Sequence, residues 1–116
     1  MNSTEPWQWS ACQIKTAIAA KDISAVEVTR SHLERIDAVN PDVNAVVTLV
    51  PDQALAQAEA IDRAVSKGQS LPALAGVPTA HKDLTLTKGI RTTFGSKLFA
   101  DFVPTQDAEI VTRIRA

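Results

Sequence analysis

The sequence predicts an α/β chain on three observations. Two helix starts within the first fifty residues carry complete capping signals, an alanine-rich helical stretch opens at Pro51, and two expected strands flank that stretch, a valine-rich run at 43–50 and an alternating segment at 77–84. The expected order is helix, helix, strand, helix, strand, loop, helix. Two strands are too few for a stable covered sheet, so the sheet is expected to be incomplete within these 116 residues.

Ser10 with Gln13 has the spacing of a capping box, and Trp9 with Ile14 occupies the flanking staple positions; the helix they start runs to about Ala20. Ser24 with Glu27, and Ile23 with Val28, repeat the design. This second helix has an apolar stripe of Val26, Leu33 and Ile36. It is expected to end near Val39, because Asn40 precedes Pro41 and a residue before proline avoids the helical region. The valine-rich run 43–50 favours a strand. Pro51 suits the first turn of a third helix, in which Ala54, Ala58, Ile61 and Val65 recur at helical spacing and Glu59, Asp62 and Arg63 face water, with Gly68 marking its end.

After a loop at 68–72, a strand over 77–84 would put Pro78, Ala80, Lys82 and Leu84 on one side and His81 and Asp83 on the other. Gly89 and Gly95 read as turn residues in a long polar segment. Thr105 is the expected cap of a last helix whose Ile110, Val111 and Ile114 share a face. Neither Gly, Asn nor Pro comes after them to stop that helix, so it reads as one cut while running, in a chain continuing past Ala116.

Composition excludes several classes of function. A hydrophobic content of 45% suits a globular chain rather than a disordered one. Twelve basic and thirteen acidic side chains, with no long run of either sign, offer no nucleic-acid or membrane surface. Small-molecule or peptide-like substrates fit better. A single cysteine, Cys12, allows no internal disulfide, and two histidines, His32 and His81, form no zinc-spaced cluster, so no metal site is expected. Residues 1–6 lack the basic and apolar regions of a leader, and no apolar run is long enough to span a bilayer; the default reading is cytoplasmic.

The residue that carries chemistry is Lys82, delivered by the apolar run Leu-Pro-Ala-Leu-Ala-Gly-Val-Pro-Thr-Ala from position 71 to 80. Burial disfavours the charged form of a lysine, and bringing one from a pKa near 10.4 to about 7 takes about 4–5 kcal/mol of differential solvation. From this residue alone two readings stand: a solvated Lys-Asp pair closing a strand, or a desolvated amine able to act as a base. His81 faces away and is read as structural, while Asp83 could fix the strand end by accepting backbone N–H bonds. Thr92, Thr93 and Ser96 offer hydroxyls for hydrogen bonding, but the loop of Ser96 names no base that would make it a nucleophile. His32 reads as a surface residue, and Cys12 as a buried structural thiol.

The surrounding motifs decide between the two readings of Lys82. Gly76-Val-Pro-Thr-Ala-His-Lys82-Asp83-Leu84, then Thr87-Lys-Gly-Ile-Arg-Thr-Thr-Phe-Gly-Ser96, then Asp101-Phe-Val-Pro and Asp107-Ala-Glu-Ile-Val, closely resemble the amidase signature family. Ser24-Ala-Val-Glu-Val, Glu34-Arg-Ile-Asp and Asn40-Pro-Asp-Val-Asn-Ala also look like its amino-terminal part. The resemblance implies that residues 1–116 are the amino-terminal fragment of a single domain without an internal boundary. The fold it implies is a mixed β-sheet covered by helices, incomplete here. It further implies amide hydrolysis through a Ser-cisSer-Lys triad and an acyl-enzyme, without a cofactor. Only Lys82 matches a triad position; both serines lie downstream in the family, so the chain alone is expected to be inactive.

Two alternatives accompany this reading. Ala80-His-Lys-Asp and Thr87-Lys-Gly are also similar to the A subunit of tRNA-dependent glutamine amidotransferases, which works with partner subunits. Trp7 and Trp9, in a short amino-terminal extension, favour a stand-alone amidase instead, whether monomer or homo-oligomer. An alternative of another class is a non-catalytic helical interaction module built on the two capped helices.

Overall fold

The capping signals at the amino-terminal end are both realised. The structure, a computed structural model, describes residues 5–116; Met1 to Thr4, part of the segment read as lacking a leader, lie outside them. Helix α1 spans Ala11–Ala19 and α2 spans Ala25–Val43, each opened by a full capping box. Ser10 Oγ accepts from Gln13 N–H at 3.2 Å while Gln13 Oε1 accepts from Ser10 N–H at 2.8 Å. Ser24 and Glu27 make the same reciprocal pair at 3.0 and 2.8 Å. The staple residues Trp9 and Ile23 pack against a core of Ile14, Ile18, Ala25, Val28 and Ala58.

Helix α1 leaves through Lys21, which takes a left-handed conformation (φ 63°) although it is not glycine. Its N–H reaches Ile18 O at 3.0 Å and the Asp22 N–H reaches Ala17 O at 2.9 Å, so the last carbonyls of the helix are satisfied. Helix α3, Pro51–Ser66, ends the same way at Gly68, as its sequence predicts: Gly68 N–H bonds Val65 O and Gln69 N–H bonds Ala64 O.

Helix α2 runs further than expected. It continues through Asn40-Pro41 to Val43, so Pro41 lies inside its last turn rather than beyond its end. A proline there forfeits one backbone bond, and Asn40 offsets the loss from the other side. Its side chain accepts the Val46 N–H and donates to Val46 O, both at 2.9 Å, while its own carbonyl receives the Asn44 N–H at 2.7 Å. Asn44, left-handed at φ 47°, is the cap. Asn40 thus organises the exit that proline alone was expected to enforce.

Neither expected strand forms, and among the described residues there is no strand at all, only four α-helices and two single 3-10 turns. The α/β class and the mixed β-sheet covered by helices are therefore corrected for these residues. A strand survives only where a partner takes its N–H and C=O groups, and here local bonds take them first. Asn40 consumes both backbone groups of Val46. In residues 77–84, the Val77 N–H folds back on Leu74 O, Pro78 has none to offer, and the Leu84 and Thr85 N–H groups both turn back on Lys82 O at 2.7 and 2.9 Å.

The described chain divides into two compact units. The first comprises the residues up to Val46 together with Pro51–Pro78, the second Val47–Val50 with Thr79–Ala116. In the first, α2 and α3 pack together and Asp62 of α3 caps α2 from the side: its two carboxylate oxygens accept the Ala25 and Val26 N–H groups at 2.7 and 3.1 Å. The wet face expected for Asp62 is thus corrected; the side chain is half-buried and bonded to a neighbouring helix. Ala58, Ile61 and Val65 face the core as their spacing predicts. Trp7 stacks on the Arg35 guanidinium, 4.5 Å from ring centroid to Cζ, and its backbone N–H bonds Ser31 Oγ.

The second unit is mostly irregular backbone tied by crossed bonds. Gly89 N–H reaches Pro104 O, Thr92 N–H reaches Phe102 O, and Ala108 N–H reaches Leu86 O. Helix α4, Glu109–Arg115, starts after Ala108 with no side-chain cap, so the Thr105 cap is corrected. Asp107 explains the later start: one carboxylate oxygen accepts the Lys88 N–H at 2.7 Å and the other pairs with Arg115 at 2.8 Å, holding residues 105–108 across to 86–88 instead of coiling them. Val111 fills the buried face of α4, whereas Ile110, expected beside it, is exposed.

Candidate functional site around Lys82

Lys82 lies in the second unit, at the head of the tight turn that its own carbonyl closes by accepting the Leu84 and Thr85 N–H groups. The interior setting expected for it is not found within these residues. Its side chain is exposed, between a half-buried His81 and a half-buried Asp83. An apolar stretch of sequence does not bury the residue at its end unless other chain covers it.

Asp83 is the best-connected residue of the segment, as its expected backbone-fixing role requires. Its carboxylate accepts the Thr93 N–H at 2.8 Å and the Thr93 hydroxyl, and its main-chain carbonyl accepts the Phe94 N–H at 2.9 Å. The hydroxyl and N–H of Thr93, with a smaller contribution from the Arg91 charge, hold the Asp83 carboxyl below the usual aspartate range. Thr93 Oγ1 also accepts the Gly95 N–H at 3.2 Å, linking carboxylate, hydroxyl and loop. In the 93–96 turn, closed by Ser96 N–H to Thr93 O at 2.9 Å, the two central residues Phe94 and Gly95 both have positive φ (54° and 65°).

The remaining sequence candidates are dispersed. Thr92 is fully buried with its hydroxyl on Ile90 O, and Ser96 Oγ caps the short turn Lys97–Phe99. His32 is half-buried rather than surface, with Nδ1 on Val28 O at 2.8 Å, and Cys12, expected to be buried, is exposed. Arg91, which bonds Val47 O, Thr48 Oγ1 and Ala100 O, and Asp107 lie within the quoted motifs, but sequence reasoning gave neither a role, since their bonds span eight to forty-four residues. An exposed aromatic trio, Phe94, Phe99 and Phe102, has ring centroids 5.2–6.0 Å apart, and the neighbouring Leu98 is 92% exposed. No set of three or more His, Cys, Asp or Glu side chains among the described residues is arranged to hold a metal ion, and no described helix is long and apolar enough to cross a membrane.

Comparison with known proteins identifies the class to which this arrangement belongs. The Amidase family model matches residues 27–116, which include Lys82, Asp83 and Thr93, and the chain belongs to that family. The A subunit of the glutamyl-tRNA(Gln) amidotransferase of Geobacter sulfurreducens is 46% identical over 103 residues, 89% of this chain and 21% of the relative. Its namesake from Acidothermus cellulolyticus is 45% identical over 106 residues, 91% of this chain and again 21% of the relative. The chain therefore spans about a fifth of the length of these relatives. Among solved structures, an inhibitor-bound chain from a vestigial protein complex, reported to reveal the evolutionary origins of an s-triazine catabolic enzyme, superposes with a TM-score of 0.88 at 33% identity, covering 92% of this chain and 24% of that one.

Proposed function

We propose that these residues are the amino-terminal part of one amidase domain, with no domain boundary inside them, and that the complete cytoplasmic protein cleaves the carbon–nitrogen bond of a small-molecule or peptide amide. The observation that carries the reading is the family match through residues 27–116, which contains Lys82 in its full motif context. Lys82 is the base: uncharged, it takes a proton by way of the cis-serine from the nucleophilic serine, which attacks the amide carbonyl to give an acyl-enzyme, and the same relay returns the proton to the departing amine. Both serines belong to downstream sequence. So does the cover that Lys82 requires, and the exposed Phe94, Phe99 and Phe102 beside the Asp83–Thr93 connection support a face awaiting it.

Lys82→Ala in the complete protein is expected to lower turnover by about 10²–10⁴-fold, the range for losing a general base, with the fold retained. Unchanged turnover in a folded variant refutes the assignment. The 116-residue chain by itself is expected to show none.

A second reading is favoured by the relatives' name: the same amide chemistry releasing ammonia from glutamine, within an amidotransferase whose partner subunits use it. The sequence argument for a stand-alone enzyme loses its support, because Trp7 and Trp9 have structural employment on Arg35 and the core. Glutaminase turnover that rises when partner subunits are added selects the second reading; hydrolysis indifferent to them selects the first.

A further inference from the structure

We propose that Asp83 and Thr93 form a latch that positions the Lys82 backbone for catalysis, so that Asp83 is a positioning residue acting through geometry rather than through its charge. The inference rests on the assignment of Lys82 as the base. Three bonds join residue 83 to residues 93 and 94: Thr93 N–H and Thr93 Oγ1–H to the carboxylate, and Phe94 N–H to the Asp83 carbonyl. Immediately before them, Lys82 O closes the turn onto Leu84 and Thr85. The Cα of Lys82 is thus fixed by one turn that it heads and by a neighbour tied on both its side chain and its main chain.

The other side of the latch is held at a cost. Phe94 adopts φ 54°, in the left-handed region that a residue with a side chain occupies only against steric crowding. A bulky residue persists there only when its surroundings over-determine it, and such outliers concentrate at functional sites. Here it lies within the two-residue element that binds Asp83. The side chain of Lys82 is exposed, so its root is the part of it that this unit fixes.

A general base misplaced by about 1 Å costs on the order of 100-fold in rate. In the complete protein, Asp83→Ala is therefore expected to lower kcat by about 10- to 100-fold with KM little changed. Asp83→Asn is the deciding variant. Its amide oxygen can accept the Thr93 N–H and its NH2 can donate to Thr93 Oγ1, so a geometric latch is largely restored, to within a few-fold of the parent kcat. A role for the negative charge would leave Asn as impaired as Ala. Thr93→Val, which removes the hydroxyl and keeps the N–H, is expected to fall between parent and Asp83→Ala. Should Asp83→Ala not fold, Asp83→Asn and Thr93→Val still decide.

An inactive Lys82→Ala together with normal Asp83→Ala overturns the latch alone. An active Lys82→Ala overturns the assignment of the base as well. Asn as poor as Ala, or a loss expressed in KM with kcat intact, also overturns the latch.

Discussion

Replacing Gly76 by alanine tests how tightly the loop after α3 closes the first unit. Gly76 has φ +78°, and a Cβ built on it would stand 2.5 Å from Ile18 Cδ1, 3.4 Å from Ala25 Cβ and 3.7 Å from Ile61 Cγ2. The first distance is far inside van der Waals contact, and although Ile18 Cδ1 ends a flexible side chain, Ile18 is 1% exposed and has nowhere to swing. Two costs add: about 1–2 kcal/mol for alanine in a left-handed conformation and about 1–3 kcal/mol for overpacking. Reduced freedom of the unfolded chain offsets about 0.4–1 kcal/mol. The net expectation is a destabilisation of about 1–5 kcal/mol. Gly68→Ala is the internal control, because Gly68 has nearly the same φ (+66°), belongs to the same unit, and has nothing within 4 Å of the built Cβ. Urea unfolding followed by the fluorescence of Trp9, which packs on this core, gives the midpoints. With a slope near 1 kcal/mol/M, Gly76→Ala should unfold about 1–3 M earlier than Gly68→Ala. Equal midpoints would refute the close approach and leave only the backbone conformation as the reason for glycine.

Asp62→Ala should lower the stability of the same unit by about 1.5–3 kcal/mol per charged hydrogen bond if its two bonds acted independently; shared geometry brings the expected total to about 2–4 kcal/mol, read by the same urea titration, and an effect below 0.5 kcal/mol would mean that Ser24 caps α2 without help. For the second unit, the Asp83 carboxyl is held low by Thr93, so the sign is that of a depressed acid. Its contribution is complete above the ordinary aspartate pKa, roughly 3.9, and is lost as pH falls through the lowered folded value. The Thr93 and Phe94 amide resonances should therefore stay fixed from neutrality to about pH 4 and move only below it; movement centred near pH 6 would point to another titrating group.

How much of this fold is legible in the sequence depends on the range over which each residue acts. Ser10–Gln13 and Ser24–Glu27 are legible because a capping box is complete within four residues, and Ala58, Ile61 and Val65 because helical spacing alone aims them at a neighbour. The runs 43–50 and 77–84 mislead because valine content in the first and side-to-side alternation in the second report suitability for a pleated surface, not the presence of a partner to pair with. Asn40 and the Lys82 carbonyl, both local competitors for those backbone groups, prevail. Asp62 misleads for the opposite reason: its partners, Ala25 and Val26, lie more than thirty-five positions earlier, and only the packing of α3 on α2 brings a polar residue on an outward helical face to the start of another helix. At the site, the Lys82 motif and the backbone role of Asp83 are legible, while the exposure of Lys82 is not, since an apolar approach says nothing about which chain will cover the amine.

That exposure separates two requirements that a lysine base must meet together. Its backbone must stand at a fixed place, and its ammonium must be kept from water strongly enough to supply about 4–5 kcal/mol of differential solvation. The second unit supplies the first through bonds confined to residues 82–95. It leaves the Lys82 side chain open to solvent. If Lys82 is the proposed base, its placement is a local property of this sequence and its reactivity depends on groups outside these residues. The latch should accordingly be formed in the 116-residue chain, with the Thr93 and Phe94 amides protected from exchange, while the amine of Lys82 reacts with acylating reagents no faster than other exposed lysines such as Lys88 and Lys97. Protection without enhanced reactivity is the signature of that division. Unprotected amides at 93 and 94 would show that the latch itself needs the cover, and the two requirements would then collapse into one.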